Sequence, residues 1–395
     1  MPGEYRPLSA TRALLEFGAM FDRLDSPDKF DHGSSPRVGV LLSNLGTPDA
    51  ATPAALRVYL RECLSDPRVI ELPRWKWLPI LRLFILTTRP KMSAELYRKV
   101  WTSEGSPLLI TALRQRAGIE RRLRARFAPS GDHVAVALGM RYGNPSIAKA
   151  LAELAAAGAR RVVVLPLYPQ YAAATAGSTF DAVFAELTRT RWVPGLRTIE
   201  TYHDEPGYIA ALAASVRERW QADGEPEKLL MSFHGMPQRY FDDGDPYFCY
   251  CQKTARLLAA ALALPRERWL VSFQSLFGKE EWLKPYTDRT VQALAKQGVR
   301  ALDVVCPGFS ADCLETIEEI DQLNRELFRH HGGGRFRFIS CLNDRADHLD
   351  FLAELVARQL AGWVDGWLAA AETNAGSAAA ETARRAGEMR VRPAG

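Results

Sequence analysis

Six short apolar runs punctuate the chain: RVGVLLSNLG from Arg37, HVAVALGM (133–140), RRVVVLPLY (160–168), KLLMSFHGM (228–236), WLVSFQSLFG (269–278) and ALDVVCPGF (301–309). Most are nearly continuous in apolar residues rather than alternating, and they break into Gly, Pro or Asn. That pattern predicts strands buried on both faces, each feeding a loop. Between several of them lie Ala- and Leu-rich helical stretches, such as SIAKALAELAAAGA from Ser146 to Ala159. Strands of this kind alternating with helices predict an α/β protein whose parallel sheets are covered by helices on both faces. The polar, Pro-containing passage WVPGLRTIETYHDEPG (192–207) is the best internal boundary. It divides a first domain, 38–195, from a second, 196–344. Residues 1–37 read as an extension. A helix over 346–364 is positioned to pack back on the first domain, and 365–395 reads as a flexible tail of small and polar residues.

Composition narrows the class. With 395 residues, 47% hydrophobic and 25% charged, the chain has enough apolar content for two globular cores. A net charge of +5 over so large a surface supplies no concentrated basic stripe, which speaks against nucleic acid. Arg121, Arg122, Arg124 and Arg126 cluster at helical spacing among Leu and Ala and read as a solvated face. The six cysteines (63, 249, 251, 306, 313, 341) form no C-x-x-C pair and predict reduced thiols. Together with an N-terminus that lacks a basic-then-apolar leader, they predict a cytoplasmic protein. The longest apolar candidate, Trp77–Leu86, contains Pro79 and Arg82 and falls short of the roughly 18–20 residues of a membrane span. Neither G-x-G-x-x-G opening a helix nor a Walker A string occurs, so nucleotide chemistry has no support.

In open α/β sheets the loops at the carboxyl ends of the strands form the ligand crevice. His234 ends KLLMSFHGM there, beside Gly235 and Pro237. It is the side chain suited to taking up a proton near neutral pH; the competing reading is a histidine bonded to a nearby carbonyl. In CPGFSADCLETIEEIDQLNREL (306–327) a helix beginning near Asp312 would align Asp312, Glu315, Glu319 and Glu326 on one face, with Cys313, Ile317, Ile320 and Leu327 opposite. Capping and the helix dipole explain the first acids equally well. Cys249 and Cys251 match no common metal spacing with Cys306 and Cys313 and read as ordinary thiols. His330 and His331 precede GGG and read as a surface turn.

Seven strings then carry a family resemblance: LLSNLGTPDA (41–50), RPKMSAELYRKVW with TSEGSPL (89–108), MRYGNPSI (140–147), LPLYPQYAAATAGST (165–179), SFHGMPQRYFDDGDPY (232–247), SFQSLFGKEEWLKPYTD (272–288) and CPGFSADCLETIEEI (306–320). In number and order they resemble the ferrochelatases from about residue 38 to 360. The resemblance implies two similar Rossmann-like domains with a porphyrin cleft between them. It implies a catalytic, metal-handling pair in His234 and Glu315, and a secondary acidic path in Asp312 and Glu319. It also implies porphyrin contacts from Asn44, Leu45, Arg141, Tyr142, Trp282 and Tyr286. The activity implied is insertion of Fe²⁺, as substrate, into a porphyrin, with no tightly bound cofactor and no [2Fe–2S] cluster, since nothing after Cys341 is cysteine. Leu276 stands where many relatives carry a basic residue, which puts a polar contact there in doubt. WKWLPILRLFIL with Arg89 and Lys91 resembles the family's lip and implies peripheral membrane contact by an otherwise monomeric protein. Protoporphyrin IX is the expected substrate, making protohaem. The rivals are coproporphyrin III as substrate, a cobalt or sirohydrochlorin chelatase of the same fold, and a porphyrin or haem carrier without turnover.

Overall fold

A computed structural model describes residues 37–128, 130–276, 278, 280–368, 381–382 and 384–389. Residues 1–36 of the expected extension and most of the tail lie outside the described residues, and Arg37 is the first residue of a strand. Two four-stranded parallel sheets carry the chain. The first, in the order β2-β1-β3-β4, is built from β1 (Arg37–Thr47), β2 (Val134–Gly143), β3 (Ala159–Pro166) and β4 (Gly195–Thr198). The second repeats that order as β6-β5-β7-β8, from β5 (Lys228–His234), β6 (Trp269–Gln274), β7 (Ala301–Val305) and β8 (Arg335–Ile339). The central strands are buried along nearly their whole length, as their unbroken apolar runs require.

Helices cover the sheets: α1 (Pro53–Leu64), α2 (Arg74–Ile80), α3 (Leu86–Val100), α4 (Pro107–Arg126), α5 (Ile147–Ala156) and α6 (Ser178–Leu187) with the first sheet, then α7 (Pro206–Asp223), α8 (Gln238–Asp242), α9 (Tyr247–Ala261), α10 (Thr287–Lys296), α11 (Arg325–His330) and α12 (Ala346–Leu360). Their starts are locally encoded. Thr52 accepts a hydrogen bond from Ala55 N with Pro53 in the first turn, and Ser146 accepts one from Lys149 N, the usual side-chain capping of free helical N–H groups. Cys249 and Cys251 lie in α9, one exposed and one buried.

The expected boundary at 195/196 falls within β4. This short strand pairs in parallel with β3 from Arg161↔Gly195 to Val164↔Thr198, so the first sheet ends at Thr198. Its half-exposed edge position explains the polar sequence that hid it. α12 packs against the first half. Leu349 sits where a Cβ on Gly118 of α4 would lie 2.6 Å from it, and Arg122 donates to Asp350 at 2.5 Å. It also holds α7, through Arg345 to Glu218 at 2.7 and 2.8 Å. A helix over Trp363–Leu368 continues past the expected end of order, with Trp363 and Val364 buried.

Candidate active site

In the order 2-1-3-4 the chain turns in opposite directions from the first strand, so each sheet opens a crevice beside that strand's carboxyl end. In the second sheet the strands flanking this point are β5 and β7. His234 is the last residue of β5, and the segment after β7 leads to Glu315. The two residues singled out from sequence therefore meet at one crevice for a topological reason.

His234 Nδ1 lies 2.7 Å from Gly235 O. A carbonyl oxygen only accepts, so Nδ1 carries the hydrogen and Nε2 keeps its lone pair. The carbonyl contact that competed with function in the sequence thus fixes a tautomer ready to accept a proton or bind a metal. Gly235 is required by close approach. A Cβ there would lie 2.6 Å from Gln274 O and 3.0 Å from the Trp282 ring, so the glycine brings the indole against the turn that follows His234. Trp282 is joined to Tyr286, whose hydroxyl lies 3.4 Å from Trp282 N, and both are half-buried.

The acidic segment departs from its expected form. Its helix begins at Leu314, after Asp312, and from Glu315 to Asn324 it is a π-helix, widened to i→i+5 bonding of the kind that gathers at functional sites. Asn324 Nδ2 donates to Glu319 O at 2.8 Å within this wide turn. The altered period turns Glu318 into the protein and leaves Ile317 only half-buried, while Glu326, on α11, is exposed. Glu315 and Glu319 remain neighbours, each half-buried. Ser275, in a left-handed backbone conformation (φ 66°), donates its N–H to Glu319 Oε1 at 2.7 Å and its hydroxyl to Oε2 at 2.5 Å. Burial is the main influence on Glu319 and raises its pKa. The Ser275 bonds and nearby His234 oppose this, and Glu315 adds to it. Glu319 therefore holds its proton to higher pH than an ordinary glutamate.

Asp312 stands apart from the acidic pair. Its carboxylate accepts from Cys341 N (3.1 Å), Asn343 Nδ2 (2.7 Å) and Thr316 Oγ1 (3.2 Å). These bonds tie the start of the π-helix to the loop after β8. Cys313 lies beside Glu315, where burial first and the glutamate second push its thiol pKa well up, so it stays a neutral thiol.

Across the crevice, Tyr59 and Cys63 of α1 and Tyr97 of α3 lie close enough to Glu315 for its charge to act on each. Burial is the larger cause in every case and pushes the Cys63 thiol up to about 12. Asn44 is buried at the end of β1, its side chain accepting from Leu45 N at 2.8 Å, and Leu45 is half-buried against Tyr59. Arg141 and Tyr142 enter a polar cluster. Arg141 donates to Asp66 and to Ser178 Oγ (2.6 Å), and Tyr142 Oη donates to Asp66 at 2.9 Å. Burial pushes the Asp66 pKa up, but bonds from Ser178, Arg68 N, Arg141 and Tyr142 outweigh it and hold the group below the ordinary aspartate value. Arg141 reaches an open hollow of about 530 Å³ that it shares with Arg61 and Arg82. Tyr142, by contrast, is fully buried. Its ring lies 4.5 Å from the Arg141 guanidinium.

Gln274 was missed in the sequence. It ends β6 directly opposite His234, its carbonyl accepts from Gly235 N at 2.7 Å, and its Nε2 donates to Glu315 O at 2.9 Å. Its Oε1 accepts from Ser232 Oγ at 2.8 Å, within a buried hydroxyl chain through Thr287 to Ser272. One residue thus holds the histidine turn through its backbone carbonyl and the first turn of the π-helix through its side-chain amide. A glutamine in an apolar strand is a faint signal, but its burial at a strand end is the kind that needs a partner. Gln274→Leu keeps the backbone bond to Gly235 but is expected to leave Glu315 O and Ser232 Oγ without their side-chain partner, at about 1–3 kcal/mol of stability, read from urea unfolding.

The chain is similar to known proteins over most of its length. The family model described as Ferrochelatase matches residues 37–360. The ferrochelatase of Thioalkalivibrio sulfidiphilus is 58% identical over 341 residues, covering 86% of this chain and 92% of that protein. That of Hydrogenovibrio crunogenus is 57% identical over 338 residues, covering 85% and 89%. That of Marinobacter nauticus is 52% identical over 336 residues, covering 85% and 90%. The chain belongs to the ferrochelatase family.

Proposed function

We propose that this protein inserts Fe²⁺ into protoporphyrin IX to form protohaem, with His234 and Glu315 as the reacting side chains. The observation that carries the reading is the His234 tautomer. Nδ1 is committed to Gly235 O, so Nε2 is held as a base at the crevice. Insertion removes two pyrrole N–H protons from the ring. Nε2 accepts the first, and the Glu315 carboxylate takes the second or relays the first onward. Glu319, whose burial favours its protonated form, exchanges protons with this pair and limits the negative charge beside the incoming metal. Among the described residues no three His, Cys, Asp or Glu side chains converge as a metal cage. One imidazole with a carboxylate offers Fe²⁺ few donors, which suits a metal that must be passed on. Asn44, Leu45, Arg141, Trp282 and Tyr286 supply the surroundings of the ring in this reading, while Asp312 sets the start of the π-helix.

The remaining parts of the reading follow from the same chain. It works as a monomer, since a single copy supplies both walls of the crevice. It is cytoplasmic, in keeping with six unpaired cysteines, and touches the inner face of the membrane. The support for contact is a run of exposed apolar side chains along one segment, Trp75 (75% exposed), Leu83 (66%), Phe84 (65%) and Met92 (62%), interleaved in sequence with Arg74, Lys76, Arg82 and Lys91. No helix among the described residues is long and apolar enough to cross a membrane, whereas such a run suits a shallow interfacial contact. Co-sedimentation with vesicles containing an anionic phospholipid is expected for the unmodified chain and not for Leu83→Glu/Phe84→Glu. Substrate choice is tested by anaerobic insertion rates. Turnover with protoporphyrin IX exceeding that with coproporphyrin III is expected, and the reverse order would assign the protein to coproporphyrin.

A further inference from the structure

Glu318 is 3% exposed, adjacent in sequence to Glu319 and three residues beyond Glu315. A carboxylate buried this deeply is costly unless it is paired. Its partner is Lys99, whose Nζ lies 2.8 Å from Glu318 Oε1. Lys99 sits in the last turn of α3, where the helix dipole favours a cation, and remains 48% exposed. The ion pair is the charged tie from the first half of the chain to the middle of the π-helix. Within its own half the helix is tied at its start by Asp312 and beside the crevice by Ser275. The π-helical period is what aims Glu318 inward toward Lys99 while Glu315 and Glu319 stay at the crevice. α3 continues without a break from the π-helical turn Leu81–Ile85, which bears the exposed Leu83 and Phe84.

We infer that Lys99 and Glu318 are a positioning pair that sets the π-helix, and with it Glu315 and Glu319, relative to the opposite wall of the crevice. Neither residue touches substrate in this scheme. The inference rests on the proposed insertion activity for its kinetic consequence, but the placement of the helix can be read without turnover.

Two measurements on Lys99→Met, Lys99→Arg and Lys99→Met/Glu318→Met test it. In insertion kinetics Lys99→Met is expected to lower kcat by about 10- to 100-fold, the scale of an ångström-sized misplacement, with the porphyrin KM within about threefold of the parent. Lys99→Arg should retain most of kcat because it keeps the charge. The double variant should recover part of the loss, because no buried charge is left stranded. In hydrogen exchange followed by mass spectrometry, Lys99→Met is expected to speed amide exchange across 314–324 while the strands keep their protection. Unchanged kcat and unchanged exchange in Lys99→Met would overturn the inference, as would a KM rise that accounts for the whole loss. If the parent protein inserts no metal, the functional reading fails, and the exchange result alone then decides whether the pair positions the helix.

Discussion

His234→Ala is expected to lower kcat for metal insertion by about 10²- to 10⁴-fold, the range for loss of a positioned general base. The porphyrin KM should change far less, because in the proposed role the imidazole would act through one lone pair at the reacting centre and not through a large contact area. The structure makes the origin of the loss specific. Nδ1–H is fixed on Gly235 O, so the variant removes a base of defined tautomer and leaves the glycine turn, held by Gln274 O and packed against Trp282, in place. Added imidazole should therefore restore part of the rate with a pH dependence set by the free base. Steady-state kinetics at several imidazole concentrations check this, and wild-type kcat in the variant would remove His234 from the mechanism.

Arg337→Met should cost the fold about 3–5 kcal/mol, the scale for breaking one side of a buried ion pair. Asp303 is fully buried in the middle of β7, and Arg337 is its direct neighbour across the β7–β8 pairing. The guanidinium donates to both carboxylate oxygens, at 2.8 and 2.6 Å, and Trp220 Nε1 adds a third bond at 2.9 Å. Without the arginine the carboxylate keeps only the indole. Arg337→Met/Asp303→Leu should regain most of the loss, because it leaves no charge unpaired. Urea unfolding of the parent and the two variants checks both statements; a loss under about 1 kcal/mol in the single variant would show that water compensates the aspartate.

That same pair shows why the sequence was only partly legible. The central strands announced themselves because burial on both faces demands unbroken apolar runs. β8, RFRFI, did not, because its arginines mimic a solvated alternation. One of them in fact points at an aspartate that interrupts the neighbouring apolar run ALDVV. Matching an aspartate in one run to an arginine in another would have revealed β8, but that match depends on register, which local pattern does not fix. β4 was hidden for a related reason, being a short edge strand with little to bury.

The site was legible to a different degree at each residue. His234 was visible from its place at a strand end. The acids were visible as a cluster, but a 3.6-residue repeat sorted them wrongly. The π-helix buries Glu318, while Asp312 precedes the helix and is consumed by bonds to Cys341, Asn343 and Thr316. A widened helix has no compositional mark, since it depends on packing from both sides. Tyr142 was grouped with Arg141 by the family resemblance, and the structure buries the tyrosine against the arginine, both side chains reaching Asp66. Gln274 was invisible because its role is to join two segments that only the fold brings together.

The central claim is that His234 Nε2 and Glu315 deprotonate a porphyrin while it receives Fe²⁺. It is tested most directly by anaerobic incubation of the purified protein with Fe²⁺ and protoporphyrin IX, following the porphyrin absorption bands as haem forms. The account predicts multiple turnovers by the parent protein and a collapse of the rate in both His234→Ala and Glu315→Gln, with porphyrin binding retained. Stoichiometric porphyrin binding without metal insertion by the parent, or undiminished insertion by either variant, would contradict it.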